Sequence, residues 1–192
     1  MWLVDTPGLD DTYRSDSEIL VDIAAWLAMS YEQRIRLTGI IYIQRITDSG
    51  ITDTSFRSLA MLKHLCGDDA LSNIVLATTF WEICSSIEDA VSRETELMNT
   101  EALWGYFLDR GSVVFRHYNR VASAEAVVEH LLKAQPLAVL QIQKEIVEEG
   151  KRVDETSAGK ALAAELSRQL DEEIGRTLSK KGLKNVFACN LM

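Results

Sequence analysis

Asp5 stands directly after an apolar run, Trp2-Leu3-Val4, and directly before Thr6-Pro7-Gly8. An acid at the carboxyl end of a buried parallel strand faces the crevice where α/β sheets bind ligands. In nucleotide hydrolases a carboxylate so placed holds Mg²⁺, usually through water, because a hard cation takes oxygen ligands. A glycine three residues on lets a backbone N–H approach a terminal phosphate. The same residues also describe an ordinary strand followed by a Pro-Gly turn. Taken alone, Val4 to Gly8 leaves both accounts open.

The elements that would have to position such a site can be read from apolar spacing. Residues 2–4 read as a short strand and Asp5 to Asp16 as a polar loop. From Ser17, Ile19, Leu20, Ile23, Trp26 and Leu27 recur at helical spacing, with Ser15 or Ser17 as cap. Thr38 to Gln44 is a compact run rich in β-branched and aromatic residues, hence a strand. Thr47 to Gly50 reads as a turn, and Phe56, Leu59, Leu62 and Leu65 as the apolar face of a helix ended by Cys66-Gly67-Asp68-Asp69. Asn73 to Thr79 is a second buried strand, Ser85 to Leu108 a long amphipathic helix, Ser112 to Arg116 a third strand, and Ala124 to Leu132 a helix. Strands that alternate with helices, and that are themselves continuously apolar, predict a mainly parallel α/β sheet.

Pro136 marks a change of composition. The stretch beyond it is rich in Glu, Lys, Gln, Ala and Leu and carries no strand signal. Leu162, Leu166, Leu170, Ile174 and Leu178 repeat every fourth residue, a drifting helical stripe rather than an a/d heptad. The sequence therefore divides into an α/β domain over residues 1–135 and a helical C-terminal extension over 136–192, made of one or two long helices that pack on the domain or on a partner. Gly150 and Gly159 are the points of interruption.

Composition bounds the rest. The chain has 192 residues, 47% of them hydrophobic, which supports a sizeable core. A net charge of −9 argues against a nucleic-acid surface, which needs clustered Lys and Arg. Cys66, Cys84 and Cys189 are scattered and form no CxxC, so neither a disulfide framework nor a zinc site is expected. No apolar run reaches the ~18 residues of a membrane span, and Met1 to Val4 is too short for the apolar core of a signal peptide. The expectation is a cytoplasmic protein. His64, His117 and His130 fall on separate elements with no metal-ligand spacing. Trp26, Trp81 and Trp104 lie on apolar faces and read as core, and Glu145 to Glu155 as a solvated helix face.

With these words in place, Val4-Asp5-Thr6-Pro7-Gly8-Leu9 resembles the switch II motif of P-loop GTPases related to the septins and the immunity-associated GTPases. Arg45-Ile46-Thr47-Asp48, the run from Met61 to Leu71, and the run from Asn73 to Glu82 are similar to fungal G-domain proteins of that class. The resemblance covers nearly the whole chain. It implies a partial G domain that enters at the switch II strand, with GTP and Mg²⁺ as ligands. Asp5 would serve at the metal, Thr6 and Gly8 at the phosphates, and Thr78, Thr79 and Glu82 at the nucleotide base. It also implies slow hydrolysis and assembly through the domain.

The departures are chemical. No GxxxxGK[ST] occurs; Gly159-Lys160 is preceded at the fifth position by Asp154 and followed by Ala161. Without that loop there is no nest of N–H groups or lysine for the phosphates, and no Ser or Thr for Mg²⁺. Leu9 stands where some GTPases place a water-orienting Gln. Where [NT]KxD would read guanine, the chain has Thr78-Thr79-Phe80-Trp81-Glu82, which reads equally as base contact or as packing aromatics. Two functions follow from this. One is a GTP-binding protein of the septin-like or immunity-associated-like class. The other is a nucleotide-free interaction protein that binds a helical partner through the stripe Leu162 to Leu178. A sheet lacking its first strands would also expose an edge, which predicts poor solubility or self-association.

Overall fold

The computed structural model describes residues 2–8, 13–48, 53–133 and 137–180, the side chains of Asp53 and of 177–180 excepted. Leu9, Asp10, Asp11, Ser49, Gly50, Pro136, Cys189 and the Leu178 side chain lie outside that set. The first helix, α1, spans Asp16–Glu32. Of the two serines predicted to cap it, Ser15 does so, in a capping box closed by Glu18: the Glu18 N–H reaches Ser15 Oγ at 3.3 Å and the Ser15 N–H reaches the Glu18 carboxylate at 2.9 Å. Three strands follow, β1 Ile40–Arg45, β2 Ile74–Thr79 and β3 Val113–Arg116, joined by helices α2 Asp53–Cys66 and α3 Ile87–Asn99. All pairing is parallel in the order β1-β2-β3, with Ile40 opposite Ile74 and Val75 opposite Val113. Helix α4, Val121–Lys133, returns after β3.

The central strand β2 is the most apolar, and Ile74 to Ala77 are all buried. Alternation sends Ile74 and Leu76 to one face, where α1, α2 and the C-terminal segment cover them, and Val75 to the other, where Val127 and Leu131 of α4 cover it. The sheet is therefore α/β and parallel, as the apolar runs predict, and it has three strands among the described residues.

Two expectations are corrected. Residues 2–8 form no strand, and Trp2 and Leu3 are 94% and 72% exposed. Three apolar residues ahead of Pro7 offer too few ladder hydrogen bonds to hold a strand without a settled neighbour. The long helix predicted over Ser85 to Leu108 breaks at Thr100, whose backbone is extended, and a wide turn over Glu101–Gly105 leads into a short helix at Tyr106–Leu108. Leu103, Trp104 and Phe107, beyond the break, are buried in the same cluster as Leu97 before it.

The C-terminal segment begins with a bridge rather than a helix: the Ala138 N–H donates to Leu37 O at 2.9 Å in an antiparallel pairing. Two short turns, Gln141–Gln143 and Lys144–Glu148, then lead through Gly150, at φ 68°, to helix α5, Ser157–Lys180. Gln143 is buried and fastens this segment to α1, its Nε2 donating to Leu27 O at 3.0 Å. Ala138, Leu140, Ile142, Ala158 and Leu162 belong to the same buried cluster as Ile19 and Leu20 of α1 and Leu59 of α2. The segment read as an extension thus contributes to the core of the α/β sheet.

Candidate functional site

In a parallel sheet the carboxyl ends of all strands share one end of the sheet, and a buried polar network forms there. Thr78, near the end of β2, is fully buried. Its hydroxyl donates to Glu94 Oε1 at 3.1 Å and accepts from the Trp81 indole N–H at 2.9 Å. Arg116, at the end of β3, donates to the other Glu94 oxygen through Nε at 2.8 Å and through a terminal nitrogen. Its guanidinium lies 4.3 Å from the centre of the Trp81 ring, and the Tyr118 ring is tilted against that ring at 6.2 Å between centroids. The bond to Glu94 raises the Arg116 pKa further above its ordinary value.

Glu94 is 5% exposed, and each of its carboxylate oxygens is engaged within this network. What it does is mechanical: it pins α3 against β2 and β3. Beside it lies a depression lined by Gln44, Arg45, Ile46, Asp48, Arg93 and Glu96, with a volume of about 30 Å³. Small-molecule sites start at roughly ten times that size.

The residues singled out in sequence fall into two groups. Thr78, Thr79 and Glu82 sit at and just beyond the end of β2. Thr78 is committed to Glu94 and Trp81, Thr79 donates to Gln44 O at 3.4 Å, and Glu82 is exposed. Trp81, at the position of the guanine-reading acid, is buried against Ile46 and Ala90. Asp5, Thr6 and Gly8 lie on the exposed segment 2–8, and a Cβ built on Gly8 would meet nothing within 4 Å. No hydrogen bond joins the two groups among the described residues.

Among the described residues no three His, Cys, Asp or Glu side chains come together as a metal cluster, and Asp5 stands exposed on the 2–8 segment. Burial pushes the Cys66 thiol pKa up, and the half-buried Cys84 thiol lies 3.4 Å from Phe80 O.

Glu94 and Arg116 are the functional-looking residues that motif reading misses. The signal was available for Glu94, a lone acid in the buried row Ala90, Glu94, Leu97 of an otherwise polar helix. Arg116 carried no comparable mark, because a basic residue at a strand end is ordinarily solvated.

Comparison with family models, with characterised proteins and with solved structures gave no match. No described helix is long and apolar enough to cross a membrane.

Proposed function

We infer that this chain works as an interaction protein that does not itself hold nucleotide, and that helix α5 is its binding element. One observation carries the reading. Leu162 is buried, but Leu166, Leu170 and Ile174 on the following turns are 37%, 58% and 48% exposed. The stripe starts in the core and continues onto the surface. A row of large apolar side chains at four-residue spacing suits another amphipathic helix. The acids Asp171 and Glu173 flank it, which favours a partner with basic residues beside its apolar row.

The order of sequence words from Val4 to Glu82 favours a second reading. In a form of the domain that carries a phosphate-binding loop, Asp5 and Gly8 would stand at Mg²⁺ and the terminal phosphate of GTP, and hydrolysis would be slow. A titration with a fluorescent GTP analogue and Mg²⁺, run on this chain and on Asp5→Ala, separates the two. The interaction reading expects no saturable binding to either folded protein. Saturable binding to the unsubstituted chain that is lost in Asp5→Ala would overturn it.

A further inference from the structure

Strand β1 ends the sheet, and no described residue pairs with its outer side. The Ile46 N–H donates to Thr79 O at 3.0 Å, so Ile46 and, by two-residue alternation, Gln44 and Tyr42 turn their backbone groups toward β2. Ile41, Ile43 and Arg45 turn theirs outward. The Arg45 carbonyl accepts the Asp48 N–H within the following turn, which leaves the groups of Ile41 and Ile43 as an open template. Ile43 is 63% exposed, and no proline or charge guards the edge before Arg45.

The same molecule carries a strand-type segment without a ladder. Trp2-Leu3-Val4 is apolar, irregular and exposed, and Asp5 follows it. We propose that the Trp2–Asp5 segment of a second copy of this chain adds to the outer edge of β1 as a parallel strand, and that the reciprocal exchange closes a two-fold dimer.

One register satisfies two separate features. Placing Asp5 opposite Arg45 sets a carboxylate beside a guanidinium whose side chain is 58% exposed, in a 3.6 Å pair with Asp48 and 4.6 Å from the centre of the Phe80 ring. The same register puts Leu3 directly opposite Ile43, on the same sheet face, so the most exposed apolar residue of the edge is covered. The Ile43 N–H then donates to Trp2 O, and the Val4 N–H donates to Ile43 O. A shift by one residue loses the charge pair and turns Leu3 to the other face. Pro7, which lacks an N–H, ends the added strand soon after Asp5. This surface is separate from the α5 stripe and does not depend on what that stripe binds.

The test uses the full chain with Cys84→Ser and Cys189→Ser, leaving buried Cys66. Two preparations of different mass tag, one with Leu3→Cys and one with Ile43→Cys, are mixed under mild oxidant. A disulfide-linked heterodimer is expected. No heterodimer, whether no cross-link forms at all or a disulfide forms only within a third preparation that carries both substitutions in one chain, would overturn the proposal. Sedimentation equilibrium supplies the second readout. Asp5→Arg and Arg45→Glu should each raise the dimer dissociation constant about fivefold, and the two together should restore it to within about twofold. Thermal melts of each variant confirm that the fold is intact. A monomer at the highest soluble concentration, or a dimer indifferent to both reversals, would sink the idea.

Discussion

Glu94 shows what a buried charge costs and how this chain offsets the cost. Its carboxylate has left water but receives the Thr78 hydroxyl and two guanidinium nitrogens of Arg116. Removing one partner of such a pair leaves an uncompensated buried ion, which is worse than removing both. Arg116→Ala should therefore destabilise the protein by about 3 kcal/mol, whereas Glu94→Gln, which keeps the Thr78 bond and leaves Arg116 near solvent, should cost about 1 kcal/mol. Urea denaturation of the two variants checks the order, and a larger loss for Glu94→Gln would show that the pair is not held as described. Glu145 gives the companion case in pH. Burial alone would raise its pKa, but the Ser157 N–H at 3.0 Å, the Ser157 hydroxyl at 2.7 Å and Lys151 at 3.1 Å hold it below the ordinary value. A depressed folded-state pKa means that the unfolded chain binds the proton more readily as pH falls. The stability Glu145 supplies is thus full above the unfolded value of about 4.3 and is lost as pH drops through the lower folded one. The stability gap between the unsubstituted protein and Glu145→Gln, measured at neutral pH and again near pH 3.5, should shrink at the acid end.

At the scale of elements, the start of α5 explains a sequence feature that looked chemical. Gly159-Lys160 resembles a fragment of a phosphate loop, yet a Cβ on Gly159 would lie 2.1 Å from Val153 O. The glycine is there because the 153–155 turn crosses the first turn of the helix, where the Thr156 hydroxyl accepts the Gly159 N–H at 3.1 Å. Gly159→Ala should push that turn away and cost about 2 kcal/mol or more despite alanine's better helix propensity, a change readable as a lower Tm. What was legible among the elements follows the same logic of local against distant causes. Ile40–Arg45, Ile74–Thr79 and Val113–Arg116 announced themselves because buried parallel strands must be apolar on both faces. Ser15 was legible as one of two candidate caps because a cap is a local interaction, while its partner Glu18 was not named by the pattern. The break at Thr100 was not, since Ser85 to Leu108 keeps helical apolar spacing throughout. Leu97, Leu103, Trp104 and Phe107 are buried on both sides of the break, so their spacing does not mark where it falls. Trp2-Leu3-Val4 looked like a strand for the same reason in reverse: its composition suits a sheet, but strand formation needs a neighbour that composition cannot supply. Among the candidate site residues, Thr78 to Glu82 were placed correctly at a strand end, while the burial of Thr78 and Trp81 came from α3 and β3, far along the chain.

For the whole molecule, the decisive fact is that one core crosses residue 135. Leu140, Ile142, Ala158 and Leu162 share a buried cluster with α1, α2 and the inner face of β2. If the C-terminal segment were an appendage, it would melt by itself; as part of the core it must melt with the sheet. Tryptophan fluorescence reports the end of β2, the 101–105 turn and α1 through Trp81, Trp104 and Trp26, with exposed Trp2 as a constant background, and far-UV circular dichroism reports the helices, α5 among them. The two probes should give coincident unfolding curves with one midpoint. The stripe on α5 turns this into a comparison within one helix. Leu162→Ala opens a cavity in the core and should cost about 3 kcal/mol by both probes, whereas Leu170→Ala, two turns further on at a site that is 58% exposed, should change stability by less than about 0.5 kcal/mol. That asymmetry is what a helix shared between folding and binding requires: its first half is needed by the chain's own core, and its second half is left for a partner. Equal losses at the two positions would place the whole stripe in the core and remove the basis for the interaction surface. Two separated transitions would divide the molecule at the boundary its composition suggests.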